Sequence, residues 1–288
     1  MASTSSSSKQ TASGYFQLTR LHKPFMGNTL LFWPCAWGLT LAARATNMPL
    51  DTYATYLTAF FYDKLVERTR TRPLPSGRAS ISGAIALYFA LQLPAVLMIA
   101  LTNKTTALLT LISMFPIQGL YPLMKRWTYW PQAWLGLSFN CGVPVGWASV
   151  TGQYPPPSVW LLALGGTCWT IFYDTIYACQ DREDDKRVGI KSTAVLFGDR
   201  VRAILTLFAG AFVLCLAVAG AALGHGAAYL LLSCGCTLAH LGWQLWVWDD
   251  KDVRDSMLKF ESNGFLAAVI WLGMFGDYLS GAARSFAL

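Results

Sequence analysis

Long apolar stretches alternate with short polar, aromatic and proline-rich joints from residue 28 to the carboxyl end of the chain. Eight of them run Asn28 to Thr46, Ile81 to Leu101, Ala107 to Leu123, Pro131 to Val150, Val159 to Ala178, Val201 to Leu223, Ala227 to Val247 and Gly264 to Leu279. Each is close to the ~20 residues a helix needs to cross ~30 Å of hydrocarbon. A ninth, Leu50 to Tyr62, is apolar but only 13 residues long. As a helix it reaches about 20 Å, well short of that thickness. The pattern predicts an all-α polytopic membrane protein with eight or nine crossings, the second helix being truncated. Two segments fall outside it. Residues 1–13 are rich in Ser and Thr and are expected to be a disordered tail. Asp249 to Lys259 alternates acids with bases and reads as a solvated surface loop.

Composition agrees with a membrane protein: 54% of the 288 residues are hydrophobic and 13% are charged. Charge placement adds a topology. If nine helices alternate, every Lys and Arg except Arg44, Lys104 and Arg284 falls on one side, as the bias of basic residues toward the cytoplasm requires. Removing the short crossing at Leu50 to Tyr62 destroys that segregation. The net charge of +7 is therefore concentrated on one face. Such a face suits nucleic acid, anionic lipid or a phosphorylated substrate; acids interleaved with the bases favour the phosphorylated substrate and exclude nucleic acid. The seven cysteines are odd in number, scattered, and lie in or beside apolar runs, so they read as small packing residues rather than a disulfide framework or zinc site. The amino-terminal segment is too short and arginine-poor for a mitochondrial presequence, and it lacks the apolar core of a secretory signal. An endoplasmic-reticulum or related endomembrane is the expected location.

The densest chemistry lies in Tyr173 to Gly189, Y-D-T-I-Y-A-C-Q-D-R-E-D-D-K-R-V-G. On an uninterrupted helix Asp174, Asp181 and Asp185 fall within a wedge of about 40°. Asp174 lies inside the apolar run ending at Ile176, and an acid at the membrane edge reads as functional. Carboxylates in that number suit Mg²⁺, commonly held by a few carboxylates together with phosphate oxygens. The plainer alternative is a solvated acidic loop balanced by Arg182, Lys186 and Arg187, which the depth of Asp174 disfavours. The same face carries D-K-L-V-E-R-T-R-T-R-P-L-P-S-G from Asp63, with Lys64, Arg68, Arg70 and Arg72, and Y-P-L-M-K-R-W-T-Y-W-P-Q from Tyr121, where Lys125 and Arg126 adjoin Trp127, Tyr129 and Trp130. It also carries Lys191, Ser192 and Thr193, a cation and two hydroxyls just past the acid cluster. Metal, cations and membrane-dipping aromatics together suit a diphosphate head with a long apolar tail.

These motifs, with R-L-H-K-P at Arg20 to Pro24, resemble the UbiA superfamily of intramembrane aromatic prenyltransferases over nearly the whole chain. The likeness is greatest to its 4-hydroxybenzoate polyprenyltransferase branch and the fungal meroterpenoid farnesyltransferases. The resemblance implies one domain over residues 14–288, nine transmembrane helices around a central cavity, and aspartate-rich motifs that bind Mg²⁺ and a prenyl diphosphate in contact with membrane lipid. It assigns Asp174, Asp181 and Asp185 to catalysis and, with Asp63, to the metal. Arg68, Arg72, Lys125 and Lys191 match diphosphate-binding positions, and Arg126 matches a partner for the acceptor's carboxylate. The implied reaction ionises an allylic diphosphate, joins the cation to a ring carbon ortho to a phenol, and removes a proton, with Asp174 polarising or deprotonating the phenol.

One part of the pattern is missing. The family's first motif reads N-D-x-x-D-x-x-x-D, and here only its last acid, Asp63, remains, preceded by A-F-F-Y. Loss of roughly 20 to 25 residues near Phe61 and Tyr62 explains both this gap and the short crossing; a deletion, a splice form or a misplaced intron each produces it. The expected function is transfer of a farnesyl group from farnesyl diphosphate to an orsellinate-type phenolic acid in meroterpenoid biosynthesis. The alternatives are the 4-hydroxybenzoate polyprenyltransferase of ubiquinone biosynthesis and, in another class, a catalytically impaired paralogue or a transporter with an acidic cation site. A transporter of the inverted-repeat type should show two related halves, and the sequence shows none.

Overall fold

The computed structural model describes residues 27–53 and 80–285, and no strand occurs among them. The amino-terminal tail, the short crossing beyond Tyr53, and Asp63, Arg68 and Arg72 lie outside the described residues. The helices are α1 Gly27–Ala45, α2 Ile81–Ala100, α3 Lys104–Ile112, α4 Gly119–Trp127, α5 Pro131–Asn140, α6 Gly142–Thr151, α7 Pro157–Ala178, α8 Arg182–Val188, α9 Thr193–Phe197, α10 Val201–Ala222, α11 Cys236–Val247 and α12 Val253–Ser285. A π-helical stretch, Ser113–Gln118, joins α3 to α4, and another, Tyr229–Gly235, leads into α11. Among the described residues, Pro157–Val188, Thr193–Ala222 and Tyr229–Val247 are long and apolar enough to cross a membrane.

Helix α7 lies at the centre, packed against α5, α10 and α12, and Trp169, Phe172, Tyr173 and Ile176 along it are almost wholly buried. Trp169 stacks on Phe212 of α10 and adjoins Trp37 of α1. Small residues permit the closest approaches, as they must where lipid supplies no hydrophobic drive between helices. A Cβ on Gly38 of α1 would strike the Val143 carbonyl of α6, and one on Gly146 would strike the Cys35 carbonyl in return. All seven cysteines are free. Cys236, however, is exposed rather than packed.

Helix α12 departs from the sequence reading. It begins at Val253 and runs 33 residues without a break, so Asp249 to Lys259 is not a solvated loop throughout. Ser256 and Lys259 are buried, with the Trp248 indole N–H donating to Ser256 at 3.0 Å and Lys259 paired with Asp255 at 2.6 Å. Deeper in the bundle, Asn263 accepts the indole N–H of Trp169 at 2.8 Å and donates to the Lys259 carbonyl at 2.8 Å. Gln244 of α11 donates to Ser262 at 2.9 Å. Polar residues that look like loop material are thus matched to one another inside the bundle, where an unpaired group would be costly.

At the end remote from the acid cluster, α1, α12 and the turn after α10 are tied together by three side chains. Arg44 donates to the carbonyls of Leu223 and Gly224 and lies 3.7 Å from Asp277. Asp277 also accepts from the Gly226 N–H and pairs with His225 Nδ1 at 3.0 Å. The His225 ring stacks on Tyr229. Burial, with Arg44 next in importance, pushes the His225 pKa down to about 4 against the opposing pull of Asp277. The unfolded chain would take up a proton near pH 6.5 that the folded one refuses until about pH 4. Stability is therefore lost as pH falls through that window, by roughly 3 kcal/mol in full. The unfolding temperature of purified protein is expected to drop between pH 7 and pH 4.5 more steeply in the wild type than in His225→Asn. Parallel profiles would show that His225 is not responsible.

Candidate active site

The acid cluster follows from how α7 ends. Its last turn passes into a 3₁₀ turn at Cys179–Asp181, after which α8 supplies only seven residues. Glu183, Asp184 and Asp185 occupy the first turn of α8 and Lys186 and Arg187 the last, the distribution its dipole favours. Glu183–Lys186 at 2.8 Å and Asp184–Arg187 at 3.6 Å are exposed pairs, which contribute little. Arg182 is different, being nearly enclosed and bound to the Gly198 carbonyl at 3.2 Å and to Asp250 at 3.4 Å. It pins α8 to the turn before α10 and to the joint between α11 and α12.

Asp174, Asp181 and Asp185 are each half-buried, while Glu183, Asp184, Lys186 and Arg187 are exposed, and each of the three is engaged with a partner. They do not form the single cluster the wedge suggests: among the described residues no group of three or more His, Cys, Asp or Glu could hold one ion. The 3₁₀ turn interrupts the helical register, and sharing a face does not bring residues level along the axis. At the rise of a regular helix, the seven residues from Asp174 to Asp181 correspond to about 10 Å along the axis and the four from Asp181 to Asp185 to about 6 Å. Magnesium needs its oxygens at about 2 Å and keeps several for water and phosphate. Asp181 and Asp185, closer together along the chain, present carboxylate oxygens of the kind that Mg²⁺ takes. Asp174 lies a further two turns back along the helix from that pair.

Two lysines are brought beside this region by a chain reversal. Gly189 ends α8 at φ 72°, a left-handed conformation that glycine adopts at no steric cost. The Ile190 N–H returns to the Asp185 carbonyl at 2.9 Å. The Lys191 N–H then donates to the Lys125 carbonyl at 3.1 Å, locking the loop after α8 to the last turn of α4. Lys191 Nζ donates to the Trp127 carbonyl at 3.4 Å and lies 5.5 Å from the Tyr129 ring centre. Lys125 and Arg126 are exposed. Neither Lys125 nor Lys191 has a carboxylate at ion-pairing distance among the described residues.

The hydroxyls of Ser192 and Thr193, expected to be offered to a ligand, are buried and spent on structure. Ser192 Oγ accepts from the Val195 N–H and so caps α9, Thr193 Oγ1 bonds Thr175 at 2.6 Å, and the Thr193 N–H donates to Gln132 Oε1 at 3.0 Å. Gln132 and Thr175 carried no signal in the sequence, because their partners are 61 and 18 residues away.

The UbiA prenyltransferase family model matches residues 60–270. A UbiA prenyltransferase, claS, from Ampulloclitocybe clavipes is 42% identical over 301 aligned positions, covering 96% of each chain. That alignment is longer than the 288-residue chain, so it includes positions this chain lacks. A 4-hydroxybenzoate octaprenyltransferase from Pseudomonas fluorescens is 36% identical, covering 92% of this chain and 93% of its own. In fold the chain is similar to an apo UbiA homolog from Aeropyrum pernix, with TM-score 0.69, 23% identity, and 86% of this chain and 97% of that one covered. It is also similar to a UbiA homolog from Archaeoglobus fulgidus bound to GPP and Mg²⁺, with TM-score 0.53, 18% identity and 93% of both chains covered. With a family match over most of its length and relatives of this similarity, the chain belongs to the UbiA prenyltransferase family.

Proposed function

We propose that this protein, in the form that carries an intact first motif, transfers a farnesyl group from farnesyl diphosphate to a ring carbon of an orsellinate-type phenolic acid, in a meroterpenoid pathway of the endoplasmic reticulum or a related endomembrane. The observation that carries the reading is the junction of Lys125 with Lys191, two cations without acidic partners among the described residues, beside the half-buried Asp181 and Asp185. Together they suit an anion that arrives with a divalent cation. Bound Mg²⁺, held by Asp181, Asp185 and Asp63, would offset charge on the diphosphate.

The chain's own groups would do the rest. Lys125 and Lys191, with Arg68 and Arg72, hold the diphosphate as the allylic C–O bond breaks and negative charge moves onto its oxygens, where fixed cations contribute most. Arg126 meets the acceptor's carboxylate and orients the ring. The new C–C bond forms ortho to the phenol, and the ring proton is lost as aromaticity returns. Asp174, deeper than the metal pair, polarises the phenol or takes its proton. The apolar walls around it shield the allylic cation from water.

Microsomes bearing the form with an intact first motif are expected to consume farnesyl diphosphate only when Mg²⁺ and a phenolic acid are both present. Turnover that survives excess chelator would remove the metal and diphosphate argument. A second reading, a 4-hydroxybenzoate polyprenyltransferase, is favoured by the Pseudomonas relative; preference for 4-hydroxybenzoate over an orsellinate-type acid in the same assay would select it.

A further inference from the structure

We propose that Gln132 is a positioning residue for the donor site, holding Lys191 where it can meet the diphosphate; the inference rests on the reading of Lys191 given above. Gln132 occupies the second position of α5, directly after Pro131, and is almost wholly buried. A buried amide in a membrane bundle is costly unless its polar atoms are used. Its Oε1 accepts the N–H of Thr193 at 3.0 Å. Thr193 is the first residue of α9, and the opening N–H groups of a helix have no partner within it. Gln132 thus fixes the start of α9 from a different helix.

A second brace comes from α7. Thr175, which neighbours Asp174, bonds Thr193 Oγ1 at 2.6 Å. Two helices therefore grip the residue two places after Lys191. On the other side, the backbone of Lys191 is held by the Lys125 carbonyl. Between these anchors the peptide has little freedom. Lys191 Nζ is kept near the Trp127 carbonyl and the Tyr129 ring rather than ranging through solvent on a flexible stem. Fixing the Lys191 cation in advance, on a segment joined to Lys125 by its backbone, lowers the ordering cost of binding an anion there.

The two supports come from different helices, and each can be removed with little change of shape. Gln132→Met deletes the acceptor and Thr175→Val deletes the hydroxyl. The full chain in lipid nanodiscs, with Mg²⁺, is titrated with the unreactive thiolodiphosphate analogue of farnesyl diphosphate. Lys191→Ala is expected to weaken binding about tenfold, the effect of one lost charge-assisted contact. Gln132→Met and Thr175→Val are each expected to weaken it about fivefold when Lys191 is present and by less than about twofold in the Lys191→Ala background, since residues that act through a shared partner are not additive.

Equal weakening by Gln132→Met in both backgrounds would identify a general loosening of the bundle and overturn the proposal. So would wild-type affinity in both Gln132→Met and Thr175→Val while Lys191→Ala binds poorly. Wild-type affinity in Lys191→Ala would overturn the reading of Lys191 itself, and the role of Gln132 with it.

Discussion

Prenyl transfer is expected to rise by at least ~100-fold when a family-like segment carrying N-D-x-x-D is inserted ahead of Asp63, the scale on which major electrostatic stabilisers act. The 288-residue chain itself is expected to have little or no activity. The argument begins with distance. The 13 residues from Leu50 to Tyr62 reach about 20 Å as a helix and do not span ~30 Å of hydrocarbon. It continues with charge, because A-F-F-Y stands where the family has an asparagine and two further acids. The alignment with the Ampulloclitocybe relative, longer than this chain, accords with missing internal residues. Assaying both forms in microsomes at matched expression decides the question. Robust turnover by the unrepaired chain would mean that Asp174, Asp181 and Asp185 suffice.

In the repaired form, Asp181→Ala and Asp185→Ala are each expected to lower turnover at least ~100-fold. Their proximity, one helical turn apart, makes a further statement possible. If both hold the same ion, the double variant should be little worse than either single one, because the partners of a shared ligand are not additive. Asp174→Ala should add its own loss to that of Asp181→Ala, since about 10 Å separates the two along the axis. Near-normal rates in both single variants would return the acids to the role of a solvated loop.

Hydropathy made the helices legible wherever burial is apolar: α1, α7 and α10 begin and end within a few residues of the expected runs. It failed where burial is polar. Ser256 and Lys259 read as surface because nothing along the chain announces that Trp248 and Asp255 will satisfy them. The candidate site divides in the same way. The identities of the charged residues were readable, since acids and bases at a membrane edge stand out against an apolar background. Their arrangement was not. Helical periodicity reports direction around an axis and says nothing of the 3₁₀ turn at Cys179–Asp181. The joining of Lys191 to Lys125 depends on a reversal at Gly189 and on Gln132, from segments some 60 residues apart.

The tie between Arg44 and α12 also sets an order on biosynthesis. Arg44 leaves the ribosome early, and the expected alternation of nine helices puts it on the side where basic residues are disfavoured. The carbonyls that receive it are made 179 and 180 residues later, and Asp277, which neutralises it, later still. The other links from this end of the bundle are as distant: the Trp37 indole donates to the Ala267 carbonyl and the Tyr278 hydroxyl to the Met48 carbonyl, each across 230 residues. Contacts of such separation form late. Helix α1 can pack on α6 and α7 as soon as they are made, but its Arg44 end stays untied until the turn after α10 and then α12 have followed. Throughout that interval the Arg44 guanidinium lacks the carbonyls and the carboxylate that satisfy it in the finished fold.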